Sequence, residues 1–310
     1  MLYESTRGEM RSVSSAQAVK MGIAPDGGLF VPESGVKMSR EEIGRFAEMT
    51  YGERAFAILK LYLDDYADVE LLDCISKAYT PDKFGCEEIA PVCKLNDHLY
   101  ILELWHGPTC AFKDMALQIL PHLLVKASRK TGETSEIVIL AATSGDTGKA
   151  ALEGFKDVAG TKIIVFFPHG GVSEMQKMQM VTQEGSNVYS IAVTGNFDDT
   201  QNGVKEIFTD AELKKTMIER GYKFSSANSI NWGRLVPQIV YYFSAYADMV
   251  RHGEITNGSP VNIVVPTGNF GNILAAYYAL SMGLPVNRLI CASNENNVLT
   301  DFINTGIYDR

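Results

Sequence analysis

From residue 98 onward, short β-rich runs alternate with helical stretches, and that rhythm limits the fold more than any other feature of the chain. HLYILELW (98–105), EIVILAAT (136–143), KIIVFFP (162–168), NVYSIAVT (187–194) and VNIVVPT (261–267) read as strands. Helical patterning fills the gaps, over 114–130 (with Pro121 expected to kink it), 146–155, 172–185, 197–210, a long stretch from Trp232 to Gly253, and 272–283. Buried parallel strands are covered on both faces by their crossover helices, so they read as near-continuous apolar runs. The predicted class is therefore α/β, built on parallel sheets.

The first ninety residues differ. A turn-rich PDGGLFVPESG (25–35) precedes two stretches, 46–63 and 68–79, whose apolar residues recur every three to four positions. No strong strand run occurs there, which predicts a small, mostly helical N-terminal domain. A chain of 310 residues is long enough for two or three domains in all.

Composition removes several classes of function. The net charge of −9 offers no basic face for nucleic acid. No run approaches the ~18 apolar residues of a membrane span. MLYESTRGEMRSVSS, at the N-terminus, lacks the apolar core of a secretory signal, so a cytoplasmic protein is expected. Cys74, Cys86, Cys93, Cys110 and Cys291 form no C-x-x-C pair. They read as reduced, buried small hydrophobes, and no metal site is expected.

Four segments can carry chemistry. ATSGDTGKA (142–150) is a glycine-bearing turn from strand to helix, able to present free N–H groups and the positive helix end to an anion. A Walker A loop is excluded, because Ala150 rather than Ser or Thr follows Lys149. An ordinary helix cap at Ser144 or Asp146 explains the turn equally well. VVPTGNFGNI (265–273) repeats the architecture, with Gly268 and Gly271 in the turn, and suits a phosphate monoester. WHGPTCAFKD (105–114) sets Lys113 among apolar neighbours, where burial lowers an amine's pKa and leaves it free to attack a carbonyl. His106 reads as structural. SANSINWGRLV (226–236) concentrates Asn228, Ser229, Asn231 and Arg234 ahead of a helix; Arg234 could grip a phosphate, but taken alone the segment reads as Ser/Asn capping with a surface Arg.

Taken together, HGPT-x-AFKD, TSGDTG, NSINWGR and PTGNFGN resemble the threonine synthase family, within the fold type II pyridoxal-phosphate enzymes. STRG and PDGGLFVPE near the N-terminus resemble it too, so the likeness covers essentially the whole chain. It implies a helical N-terminal domain (1–95), a large α/β domain binding pyridoxal 5′-phosphate (96–132 and 211–310), and a small α/β domain (133–210). It implies that Lys113 is the Schiff-base lysine and that Gly268, Asn269, Phe270, Gly271 and Asn272 cradle the cofactor phosphate. Ser144 and Thr147 would face the substrate, and Asn228, Ser229 and Arg234 would hold its phosphate. Asp146 stands where related enzymes place an Asn near the cofactor's 3′-oxygen. The implied reaction converts O-phospho-L-homoserine and water to L-threonine and phosphate, in a monomer or homodimer. A dehydratase or phospho-lyase of the same fold type is the nearest rival; a fragment that binds phosphate compounds without turnover is another. Family members run past the equivalent of Arg310, so a further C-terminal part is expected to complete the cofactor domain.

Overall fold

The computed structural model describes residues 1–143, 145–227 and 230–308. At the N-terminus, strands β1 (Leu2–Ser5), β2 (Val13–Ser14) and β3 (Phe30–Pro32) form an antiparallel sheet in the order β2-β1-β3. The region is mostly helical, as expected, and this small sheet is what the lack of a strong strand run concealed. Each of the three is too short to show a period, and only its partners make it a strand. Helices α1 (Ser15–Met21), α2 (Arg40–Arg45), α3 (Tyr51–Tyr62), α4 (Asp68–Ala78) and α5 (Pro81–Phe84) complete this part. Capping boxes start the first three: Ser14 with Gln17, Ser39 with Glu42 and Thr50 with Glu53.

The run predicted as a strand over 98–105 is half of an antiparallel hairpin, β4 (Val92–Asn96) with β5 (Leu99–Leu102), outside any parallel sheet. The helix expected over 114–130 is two helices, α6 (Asp114–Leu117) and α7 (Leu120–Lys130). Pro121 does not kink a continuous helix; it lies in the first turn of α7, where its missing N–H costs nothing.

A four-stranded sheet follows, in the order β8-β7-β6-β9 and parallel at every pairing. Its strands are β6 (Glu136–Ala142), β7 (Thr161–Pro168), β8 (Val188–Val193) and β9 (Tyr222–Ser225). Helices α8 (Asp146–Phe155), α9 (Glu174–Val181), α10 (Phe197–Thr209) and α11 (Ala211–Glu219) connect them. The polar α11 and short β9 were not anticipated, and β9 carries the sheet past the expected limit at residue 210. Helix α12 (Trp232–Arg251) runs through the centre, with 16 of its 20 residues buried. Beyond it, β10 (Val261–Pro266) and β11 (Val286–Ala292) pair in parallel around α13 (Gly271–Met282), and α14 (Val298–Thr305) follows. Among the described residues no helix is long and apolar enough to cross a membrane. Of the cysteines only Cys74 is buried, and Cys93 and Cys110 are exposed, which corrects the expectation that all five are core residues.

A buried ion pair locks the N-terminal helices onto α12. Arg54 is 2% exposed; its Nε donates to the Phe46 carbonyl at 2.8 Å and its Nη1 reaches both Ser244 Oγ and Asp248 Oδ1 at 2.8 Å. Arg251 approaches the same Asp248 oxygen at 2.9 Å, but from the exposed side. Arg54→Met should lower the free energy of unfolding by about 3 kcal/mol, because it strands a buried carboxylate. Urea unfolding at pH 7 measures this, and a loss below about 1 kcal/mol would mean that Arg251 alone suffices.

Candidate active site

Lys113 sits at the start of α6, where the chain enters the helix from the 105–112 loop. Asp114 fixes that loop. It is fully buried and accepts from Thr109 N at 2.8 Å and Thr109 Oγ1 at 2.7 Å. Gly107 is obligatory beside it, since a Cβ there would lie 2.5 Å from that of Asp114. Cys110 takes up a left-handed backbone (φ 55°), which tightens the turn ahead of the lysine. His106 is taken up by Glu103, 2.7 Å away.

The Lys113 side chain is 19% exposed, and its ammonium lies 5.5 Å from the Phe112 ring centroid and 3.6 Å from Asp146 Oδ2. Burial depresses its pKa; Asp146 opposes that shift and the Arg234 cation adds to it. A larger fraction of the amine is therefore neutral and nucleophilic at a given pH. In the cofactor-free protein, the pH midpoint for acylation of Lys113 should fall below that of an ordinary lysine. Mass-spectrometric mapping across a pH series measures it, and a midpoint at or above 10.5 would contradict the depressed basicity.

Asp146 opens α8, and Gln176 Nε2 donates to its Oδ1 at 2.9 Å. The turn before α8 is held by Thr143, a residue that the motif alone did not single out. Its Oγ1 accepts from Gly145 N (3.1 Å) and Gly148 N (3.0 Å) and donates to the Gly145 carbonyl at 2.9 Å. Gly148 is needed because a Cβ would come within 2.4 Å of Thr143 Cγ2. Thr147 follows Asp146 in the first turn and is partly exposed. Ser144 lies outside the described residues.

Arg234 stands in the first turn of α12 and is 2% exposed. Its Nη1 donates to the Ala227 carbonyl at 2.9 Å, while its Nε has no partner among the described residues. Burial pulls its basicity down to about 10. No carboxylate among the described residues pairs with it, so this is a buried cation with donor capacity to spare, close enough to Lys113 to depress it. Asn231 has a different duty. Its Oδ1 caps α12 through Gly233 N (2.8 Å) and its Nδ2 donates to the Val19 carbonyl (2.9 Å), so its amide is spent on the fold. Asn228 and Ser229 lie outside the described residues.

The turn from β10 to α13 has Gly268 at φ 45° and Phe270 at φ 63°. A left-handed Phe is a strained choice, and strain of this kind gathers at ligand sites. A Cβ on Gly268 or Gly271 would meet nothing within 4 Å, so the turn is open at the N-terminus of a 12-residue helix; the Phe270 N–H is spent on the Thr267 carbonyl at 2.9 Å. Asn269 is exposed. Asn272 is aimed by two tyrosines of α12: its Oδ1 accepts from Tyr241 and Tyr242 hydroxyls, each at 2.5 Å. With the oxygen engaged, the amide nitrogen is left to donate. Arg234 and Tyr241 are seven residues apart, or about 10 Å along one helix, so α12 serves two anion-competent positions.

The α/β part of the chain, residues 86–310, matches the family of pyridoxal-phosphate dependent enzymes. Residues 2–79 match the threonine synthase N terminus. With both parts matched in order, the chain belongs to the threonine synthase family. It is 46% identical over 303 residues to "Threonine synthase-like 1" of Homo sapiens, covering 95% of this chain and 40% of that protein. The crystal structure of PLP-bound threonine synthase from Brucella melitensis superposes with a TM-score of 0.90 at 37% identity, over all of this chain and 64% of that one. Threonine synthase from Escherichia coli gives 0.82 and 34%, over all of this chain and 68% of that one. The chain thus spans about two-fifths to two-thirds of the proteins it resembles. The residues present suit the cofactor of the class: an amine of lowered basicity for its aldehyde, and an open backbone turn for its phosphate.

Proposed function

We propose that Lys113 carries pyridoxal 5′-phosphate and that the protein converts O-phospho-L-homoserine and water to L-threonine and phosphate. Arg234 is the observation that carries this reading. A buried guanidinium without a carboxylate partner is costly unless an anion completes it, and a dehydratase or sulfhydrylase has no substrate phosphate to offer. On this reading Gly268, Asn269, Phe270, Gly271 and Asn272 hold the cofactor phosphate. Ser144 and Thr147 contact the substrate, and Arg234, with Asn228 and Ser229, binds its phosphate. Asp146 keeps the Lys113 ammonium in place whenever that group is protonated.

When bound, the cofactor supplies an electron sink for charge that develops at the substrate's Cα. Lys113 Nζ takes one proton from Cα and one from Cβ, and delivers one to Cγ, where phosphate has left, and one back to Cα. Arg234 balances the charge that gathers on phosphate as it leaves Cγ, and water adds at Cβ. The domain layout proposed is an N-terminal unit over 1–95, a large cofactor unit from 96–132 and 211–310, and a small unit over 133–210 whose sheet reaches Ser225. A cytoplasmic monomer or homodimer fits this chemistry.

A lyase acting on another phosphorylated amine is a second reading, favoured by the 46% identity to a protein named only threonine synthase-like. Phosphate release by the cofactor-loaded protein separates the two. O-phosphohomoserine should yield threonine and phosphate in equal amounts. Release from phosphoserine, phosphoethanolamine or phosphothreonine instead would establish the second reading, and release from none of the four would overturn both.

A further inference from the structure

A cavity of about 580 Å³ opens at the far ends of the two helices whose first residues form the Lys113 site. Lys113 and Asp146 stand at the N-terminal ends of α6 and α8; Gln118, which caps α6, and Glu153, near the end of α8, line this cavity. Helices α4, α5 and α7 close its other sides. The volume is that of a small-molecule site.

The lining is cationic although the chain is acidic. Lys77, Lys83, Lys126, Arg129 and Lys156 face Asp73, Glu153 and Asp157, a surplus of two positive charges in a chain of net charge −9. The acids are already engaged. Asp73 is shared between Lys77 and Lys126, each at 2.8 Å. Glu153 accepts from Gln183 at 2.8 Å and has Lys149 at 3.5 Å. Asp157 accepts from Ser186 N and Oγ, both at 2.9 Å. Arg129 and Lys156 have no ion pair among the described residues.

One donor in the wall is left over. Gln118 is 2% exposed, and Lys83 Nζ donates to its Oε1 at 3.2 Å, which fixes the amide's orientation. Its Nε2 then has no partner among the described residues. A buried N–H without an acceptor is uncommon and calls for one. The neighbouring His122 registers the local field: burial, then Lys83 and Lys77, push its imidazole down to about 4.

We infer that this cavity is a binding site for a small anion bearing phosphate groups, distinct from the Lys113 site. Several convergent cations with an amide donor suit a multiply charged phosphate better than a single carboxylate. The ring-proton resonances of His122 report binding here rather than at Lys113. In the cofactor-loaded protein, inorganic pyrophosphate should shift them saturably and raise the titration midpoint of His122 by a unit or more. Arg129→Gln with Lys156→Gln, both remote from the reacting groups, should weaken that binding at least tenfold and leave cofactor absorbance unchanged. Titration with AMP and with orthophosphate distinguishes a nucleotide from free phosphate as the source, and saturable binding of either supports the site. No response of His122 to a millimolar excess of pyrophosphate, or equal binding by the double variant, would overturn the site. Citrate binding as tightly as pyrophosphate would overturn the phosphate assignment.

Discussion

Lys113→Ala is expected to reduce threonine formation by roughly 10³-fold or more, since it removes both the cofactor attachment and a general acid–base worth ~10²–10⁴. The fold should survive. Lys113 contributes no cap to α6, and its one ion pair, with a half-exposed Asp146, is loose at 3.6 Å. Circular dichroism and steady-state kinetics together test this. Activity within tenfold of the parent would remove Lys113 from the chemistry.

Arg234→Met should produce the opposite signs in two measurements. kcat/KM for O-phosphohomoserine should fall about 10²–10³-fold, the loss of a charge-assisted phosphate contact in a dry site. Stability should hold or rise, because a buried cation without a carboxylate partner is replaced by a thioether of similar volume. Cofactor affinity should be spared, as the 268–272 turn draws on Tyr241 and Tyr242 rather than on Arg234. An equal loss of cofactor binding, or a stability loss above about 2 kcal/mol, would make Arg234 a structural residue.

What could be read from the sequence depended on whether the cause was local. β6 and β7 are near-continuous apolar runs, the mark of strands covered on both faces, and the runs themselves declare them. α12 was visible for the same reason. β1, β2 and β3 were not, since two to four residues hold no period and depend on partners far along the chain. β4 was hidden because it is short and almost wholly exposed, and α11 buries nothing. The site divides likewise. Lys113 and the glycine turns stood out as residue types in unusual settings, while Asp146 and Arg234 were assigned to the site only through the family resemblance. Thr143, Tyr241 and Tyr242 act through contacts that only folding creates, whereas Asn231 was legible as a helix cap and caps α12, joining it also to the Val19 carbonyl.

Borohydride reduction of the cofactor-loaded protein, followed by proteolysis and mass mapping, bears most directly on Lys113. The reagent turns a reversible carbon–nitrogen link into a stable secondary amine, so the label stays where the cofactor sat. The reduced cofactor should appear on the peptide containing AFKD, at Lys113, and the yellow colour should vanish. A colourless protein that cannot be reconstituted with pyridoxal phosphate, or a label on any other lysine, would contradict the assignment.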